Sequence, residues 1–225
     1  MTDATDVAFA RRPSRAWLWA EFVLLYVAGP LALLIFFEYL SLFASIAAIM
    51  LLGLLLLIRT PEFRWLELVD TTGLHEHWRM VLWVSLAMTA SIFALAWLLL
   101  DEAWFLRLVY ERPMLLPLIW LLYPWFSVLG QEVVFRPLFF KRYGELFPNE
   151  TAAILVNSAV FAFAHAFYWN ITTLVISFFG GVIFAVAYRR TGNSFPVVFI
   201  LHWIAGGMIF TSGMGRYFYQ GAIGQ

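Results

Sequence analysis

An all-α fold is what the sequence predicts: a polytopic membrane helical bundle of about seven transmembrane helices with an interfacial amphipathic segment. Three observations carry this. Hydrophobic residues make up 63% of the chain and charged ones only 12%, where soluble domains carry about 25% charged residues. The apolar residues gather into seven runs, at 16–37, 40–58, 80–100, 114–140, 151–168, 171–188 and 195–212. A helix needs about 20 such residues to cross the hydrocarbon core. In lipid the backbone must satisfy its own hydrogen bonds, so these runs are expected to be helices.

The first run follows Arg11, Arg12 and Arg15 and is longer than a signal-peptide core, so it reads as an uncleaved span behind an N-terminal segment at 1–15. Pro30 and Pro117 are expected to kink the first and fourth helices without breaking them. After the second run, Trp65, Leu66, Leu68, Val69, Leu74 and Trp78 alternate with charged residues, the pattern of a stretch lying in the interface. Trp104, Phe105, Leu108 and Tyr110 form a second such stretch after the third run. His75 and His77 fall in the first interfacial stretch and read as surface residues. Gly180-Gly181 and Gly206-Gly207 are small pairs that let helices approach closely. No linker or repeat divides the chain, so residues 1–225 read as a single membrane domain.

Cationic residues set the expected orientation. With the N-terminus in the cytoplasm, that side receives Arg11, Arg12, Arg15, Arg59, Arg64, Arg79, Lys141, Arg142, Arg189 and Arg190, and the far side only Arg107, Arg112 and Arg216. The N-terminus is therefore expected inside and the C-terminus outside, in a plasma membrane or, in a bacterium, the inner membrane. The formal net charge of zero gives no reason to expect a nucleic-acid partner. The absence of cysteine excludes a thiol nucleophile, a thiolate metal site and a disulfide.

Ionisable groups within a span are costly and mark functional sites by default. The polar residues inside runs are Glu132 and Arg136 in the fourth, Asn157 and His165 in the fifth, and His202 in the seventh; Glu21 lies near the end of the first. Glu132 is about nine residues before Lys141 and His202 about nine after Asn193, so each is expected roughly 14 Å from the cytoplasmic boundary. His165 matches Glu132 in depth if the hairpin between their helices turns near Pro148. Glu132, His165 and His202 therefore read as one constellation on three helices.

A carboxylate with two imidazoles can activate water and stabilise an oxyanion without a metal, so no cofactor is expected. On paper Glu132, His165 and His202 also form a zinc ligand set. His75-Glu76 does not continue into a zinc-protease helix motif, no G-x-S-G supports a serine nucleophile, and no Gly-Asp pair lies within a span.

The run Gln131-Glu-Val-Val-Phe-Arg136-Pro-Leu-Phe-Phe resembles the E-E-x-x-x-R motif of the CPBP family, which includes CAAX prenyl endopeptidases and the bacteriocin-processing and immunity proteins called Abi. Phe161-Ala-Phe-Ala-His165 is similar to that family's F-x-x-x-H. The run from Gly181 to His202, through Ala187-Tyr188-Arg189-Arg190-Thr191-Gly192 and Pro196, is similar to its last block. The resemblance covers about 130–205. It implies a glutamate-dependent intramembrane endopeptidase that cleaves near the C-terminus of prenylated proteins or within membrane-anchored peptides.

Two positions depart from that pattern: Gln131 stands where the family carries its water-activating Glu, and Gly206 where it carries Asn or Asp. An amide keeps the shape of Glu but cannot take a proton. Glu132 lies four residues before Arg136, the spacing of a same-face ion pair, and about 100° around the helix from Gln131. The expected function is peptide hydrolysis in which Glu132, with His165, activates water while His202 and Gln131 polarise the carbonyl. The expected substrate is a membrane-embedded or lipid-anchored peptide. The alternative is an inactive member that binds membrane peptides as an immunity or assembly factor.

Overall fold

The computed structural model describes residues 13–36, 39, 42–61 and 63–218. Most of the expected N-terminal segment, including Arg11 and Arg12, lies outside the described residues, as does the start of the second run. In chain order the principal helices are α1 (Arg15–Phe36), α2 (Leu42–Ile58), α3 (Trp78–Leu99), α4 (Leu115–Leu146), α5 (Glu150–Tyr168), α6 (Ile171–Arg190) and α7 (Phe195–Ser212). Among the described residues, six of these are long and apolar enough to cross a membrane; α2, with 17 residues, is shorter. The protein is thus an integral, multi-pass helical bundle. Short helical turns at Trp65–Leu68 and Thr72–Glu76 form the interfacial segment, with Trp65, Leu66 and Val69 exposed.

Local signals fix the helix ends. Ser14 Oγ accepts from Trp17 N–H at 3.2 Å at the start of α1, and Asn149 Oδ1 from Ala152 N–H at 2.8 Å at the start of α5. Asn170 caps α6 through Thr172 N–H at 2.8 Å and Thr173 N–H at 3.2 Å. Pro196 lies in the first turn of α7, where a missing N–H costs nothing.

Helix α4 is not regular. π-helical segments at Pro124–Val128 and Val134–Tyr143 interrupt it, and Pro124 and Pro137 each lack the N–H that a regular ladder needs. Wide turns release carbonyls that neighbouring side chains must satisfy in a membrane. Tyr26 donates to the Val134 carbonyl at 2.6 Å, and Asn157 Nδ2 to the Phe135 carbonyl at 2.7 Å. A third π-helical segment, Leu24–Ala28, precedes Pro30 in α1. Pro117, expected to kink α4, instead sits in the first turn of the regular segment Leu115–Tyr123. The irregularities fall at Pro124 and Pro137.

Two cores flank a seam. Phe22, Tyr26, Phe135, Phe139 and Tyr143 pack α1 against α4. Phe184, Tyr188, Val198 and Leu201 pack α6 against α7, with Val81 and Met88 of α3. Helix α7 meets α3, α4 and α6, so its middle lies where the cores meet. Gly207 receives the Trp120 ring and Gly181 the backbone of Ser158, the close approaches expected of those pairs.

Gly213 ends α7 at φ 95°, and a Cβ there would overlap the Trp104 carbonyl oxygen. Gly213→Ala is expected to cost about 1–3 kcal/mol from backbone strain alone. The clash adds to this and separates Leu106 N–H from the Ser212 carbonyl it reaches at 3.1 Å. Thermal unfolding in detergent measures the loss.

Candidate active site

Glu132 and Arg136 project from adjacent turns of α4 into the seam, and both side chains are fully buried. Arg136 Nε lies 3.1 Å from Glu132 Oε2, an ion pair lacking hydrogen-bond alignment. The guanidinium also donates to Asn157 Oδ1 and, at 3.2 Å, to the Phe135 carbonyl. It faces the rings of Phe161 at 5.2 Å and Phe184 at 5.8 Å, so aromatic faces cover much of the charge that Glu132 does not.

The other carboxylate oxygen, Oε1, is 2.8 Å from His202 Nδ1. Beside Arg136 the carboxylate is an acceptor, so Nδ1 carries the proton, and in the neutral ring Nε2 presents a lone pair. Phe184 stacks on the imidazole at 4.9 Å and Phe161 meets it edge-on at 5.7 Å. His202 Nε2 lies 3.2 Å from the Tyr123 hydroxyl, which then donates to it.

His165 lies within α5, as the sequence predicted, just past the end of its regular part at Phe163. A 3-10 turn at Ala166–Tyr168 and Trp169 at φ 52° redirect the chain there into the Asn170 cap. His165 Nδ1 faces the Phe161 carbonyl at 2.8 Å. A carbonyl only accepts, so Nδ1 carries the proton, and in the neutral ring Nε2 is a lone pair.

Gln131 points away from the ion pair, as the spacing predicted, and its Nε2 donates to Ser127 Oγ at 2.9 Å. Its other amide atom, Oε1, is buried without a protein partner. Gln131, His165 and His202 line one cavity of about 1960 Å³, together with Tyr123 and Ser127; Glu132 and Arg136 lie behind its wall. Most of the wall is apolar, including Met88, Ile92, Ile119, Leu122, Ile176 and Ile183. The volume exceeds the 300–1,000 Å³ of common small-molecule pockets.

Among the described residues, no three His, Cys, Asp or Glu side chains are placed to hold a metal. The trio Glu132, His165 and His202 does not converge as a ligand set. Glu132 Oε1 is bonded to His202 Nδ1, and His165 turns its own Nδ1 to a carbonyl.

Reading the sequence for ionisable intruders missed Tyr123. Tyr123, Ser127 and Gln131 recur every four residues, a polar stripe along one side of α4 that could have disclosed it. Asn157 stood out in the sequence only as a polar residue in a span; it anchors Arg136.

A buried carboxylate–imidazole pair beside a largely apolar cavity defines the class: a helical membrane protein with ionisable groups held inside its bundle. Residues 113–208 match the family described as Type II CAAX prenyl endopeptidase Rce1-like, so that segment of the chain is similar to the CAAX-protease family. The match spans Tyr123, Glu132, Arg136, His165, His202 and Gly206. Comparisons with curated proteins and with solved structures found no match.

Proposed function

We propose that the protein is an intramembrane endopeptidase that hydrolyses a peptide bond of a membrane-embedded or lipid-anchored substrate. One observation carries this reading: His202, buttressed by Glu132 and with Nε2 at the Tyr123 hydroxyl, lines the cavity that Gln131 and His165 also line. His202 is the base that receives, at Nε2, the proton released as a water's oxygen adds to the scissile carbonyl. Glu132 stabilises the imidazolium so formed, the role of a carboxylate behind a catalytic histidine. The Gln131 amide faces the developing oxyanion, and His165 Nε2 holds the water. Collapse breaks the C–N bond, and His202 returns the proton to the leaving amine.

This division of labour differs from the expected one. Glu132 is sealed from the cavity, which favours His202 as the base that receives the water's proton, with the carboxylate acting through it. The apolar wall suits a lipid-anchored or membrane-spanning peptide, of which a prenylated C-terminal CAAX sequence is one instance. The cationic bias of ten residues against three supports an N-terminus in the cytoplasm. No metal, cofactor or nucleic acid enters the scheme.

The test uses the purified full chain in liposomes with two fluorogenic peptides, one ending in a farnesylated CAAX sequence and one a single membrane span. Wild type cleaves at least one, and His202→Ala lowers its kcat by about 10²–10⁴, the usual contribution of general acid–base catalysis. Equal rates for the two proteins overturn the assignment. A second reading, a membrane-peptide binder without hydrolysis, draws on Gln131, whose amide cannot act as a base. Binding of either peptide without cleavage is its signature.

A further inference from the structure

We infer that Tyr123 is a further catalytic residue, the outermost member of a proton relay Glu132–His202–Tyr123 seated in the space that Gly206 leaves open. The inference rests on the peptidase reading and assigns the contact with water to a residue outside the original constellation.

Three observations converge on Tyr123. Its hydroxyl is 3.2 Å from His202 Nε2, the nitrogen left as acceptor once Nδ1 donates to Glu132. Any proton that reaches His202 from the cavity side arrives at that nitrogen, where the phenol stands. The ring lies directly on Gly206: a Cβ there would overlap Cε1 and the hydroxyl oxygen. Position 206, one helical turn after His202, thus admits the tyrosine only because it has no side chain. Finally, Tyr123, Ser127, Gln131 and His202 line the same cavity, so the phenol opens onto the space that also holds the amide proposed to face the oxyanion.

The relay balances. The Tyr123 O–H proton passes to His202 Nε2 as a water O–H proton passes to the Tyr123 oxygen. The resulting hydroxide adds to the carbonyl carbon. When the C–N bond breaks, the same two transfers run in reverse and deliver the proton to the leaving nitrogen. The phenol begins and ends neutral, and Glu132 balances the transient imidazolium throughout.

Tyr123→Phe removes the oxygen and keeps the ring. It is expected to lower kcat about 10²-fold or more, with KM and the thermal unfolding midpoint unchanged, in the liposome assay on whichever of the two peptides wild type cuts. Gly206→Ala pushes the ring aside and is expected to lower kcat similarly. The double variant falls no further than Tyr123→Phe, because both changes break one relay. In protein carrying nitrogen-15 histidine, Tyr123→Phe shifts one Nε2 resonance by removing its donor. Wild-type kcat in Tyr123→Phe, alongside loss of cleavage in His202→Ala, overturns the relay and leaves the peptidase reading standing. A wild type that cuts neither peptide overturns both.

Discussion

Replacing Glu132 with alanine is expected to abolish peptide cleavage and to destabilise the bundle by about 3–5 kcal/mol, the usual cost of breaking a buried ion pair from one side. Arg136 is fully buried, so the variant leaves a guanidinium at membrane depth with Asn157, one carbonyl and two aromatic faces but no anion. The same substitution frees His202 Nδ1 from its 2.8 Å partner, removing both the preferred tautomer and the counter-charge for an imidazolium. Glu132→Gln separates the two effects. Its carbonyl oxygen still accepts from Nδ1 and preserves the ring orientation, but it cannot balance either cation. It is therefore expected to recover part of the packing and little of the activity. Thermal unfolding in detergent, read beside kcat for both variants, distinguishes a catalytic carboxylate from a purely structural one.

The second large effect concerns Gln131→Glu. In the family motif that this stretch resembles, a glutamate at this position supplies the base, so the substitution would restore activity to a dormant site. The proposed mechanism predicts the opposite. His202 is the base, Gln131 presents a neutral amide to the oxyanion, and a carboxylate there brings like charges together. Removing one oxyanion donor costs about 10²–10³ in kcat in well-studied hydrolases, and a loss of that order is expected. Ser127, which now accepts from Gln131 at 2.9 Å, can donate to the new carboxylate through its hydroxyl hydrogen, so the fold should tolerate the change. A thermal midpoint close to wild type with a lowered kcat is the expected pair of readings.

Much of this arrangement is legible in the residues. The i, i+4 spacing of Glu132 and Arg136 specifies their pairing, and Gln131 one position earlier must face elsewhere. The bundle follows from apolar run lengths, because the bilayer leaves a hydrophobic segment few alternatives. Glycine pairs mark close approaches such as Trp120 on Gly207.

What stayed hidden depended on side-chain partners far apart in sequence. Pro124 and Pro137 widen α4, but whether a membrane proline kinks a helix or sits harmlessly in a first turn, as Pro117 does, depends on neighbours that satisfy the released carbonyls. Tyr26 and Asn157 do so from other helices. Spacing fixed which face Glu132 occupies, yet not that His202 would seal it from the cavity. Tyr123 carries no charge at neutral pH and so escaped a search for ionisable intruders. Its place beside His202 depends on the bare Gly206.

Hydrolysis itself is tested most directly with oxygen-18 water. The full chain in liposomes is incubated with the farnesylated and single-span peptides, and the products are weighed by mass spectrometry. The predicted result is a single internal cut by wild type, with one oxygen-18 atom in the new carboxylate and no such product from His202→Ala. Intact peptides with wild type, beside cleavage by Gln131→Glu, would contradict it.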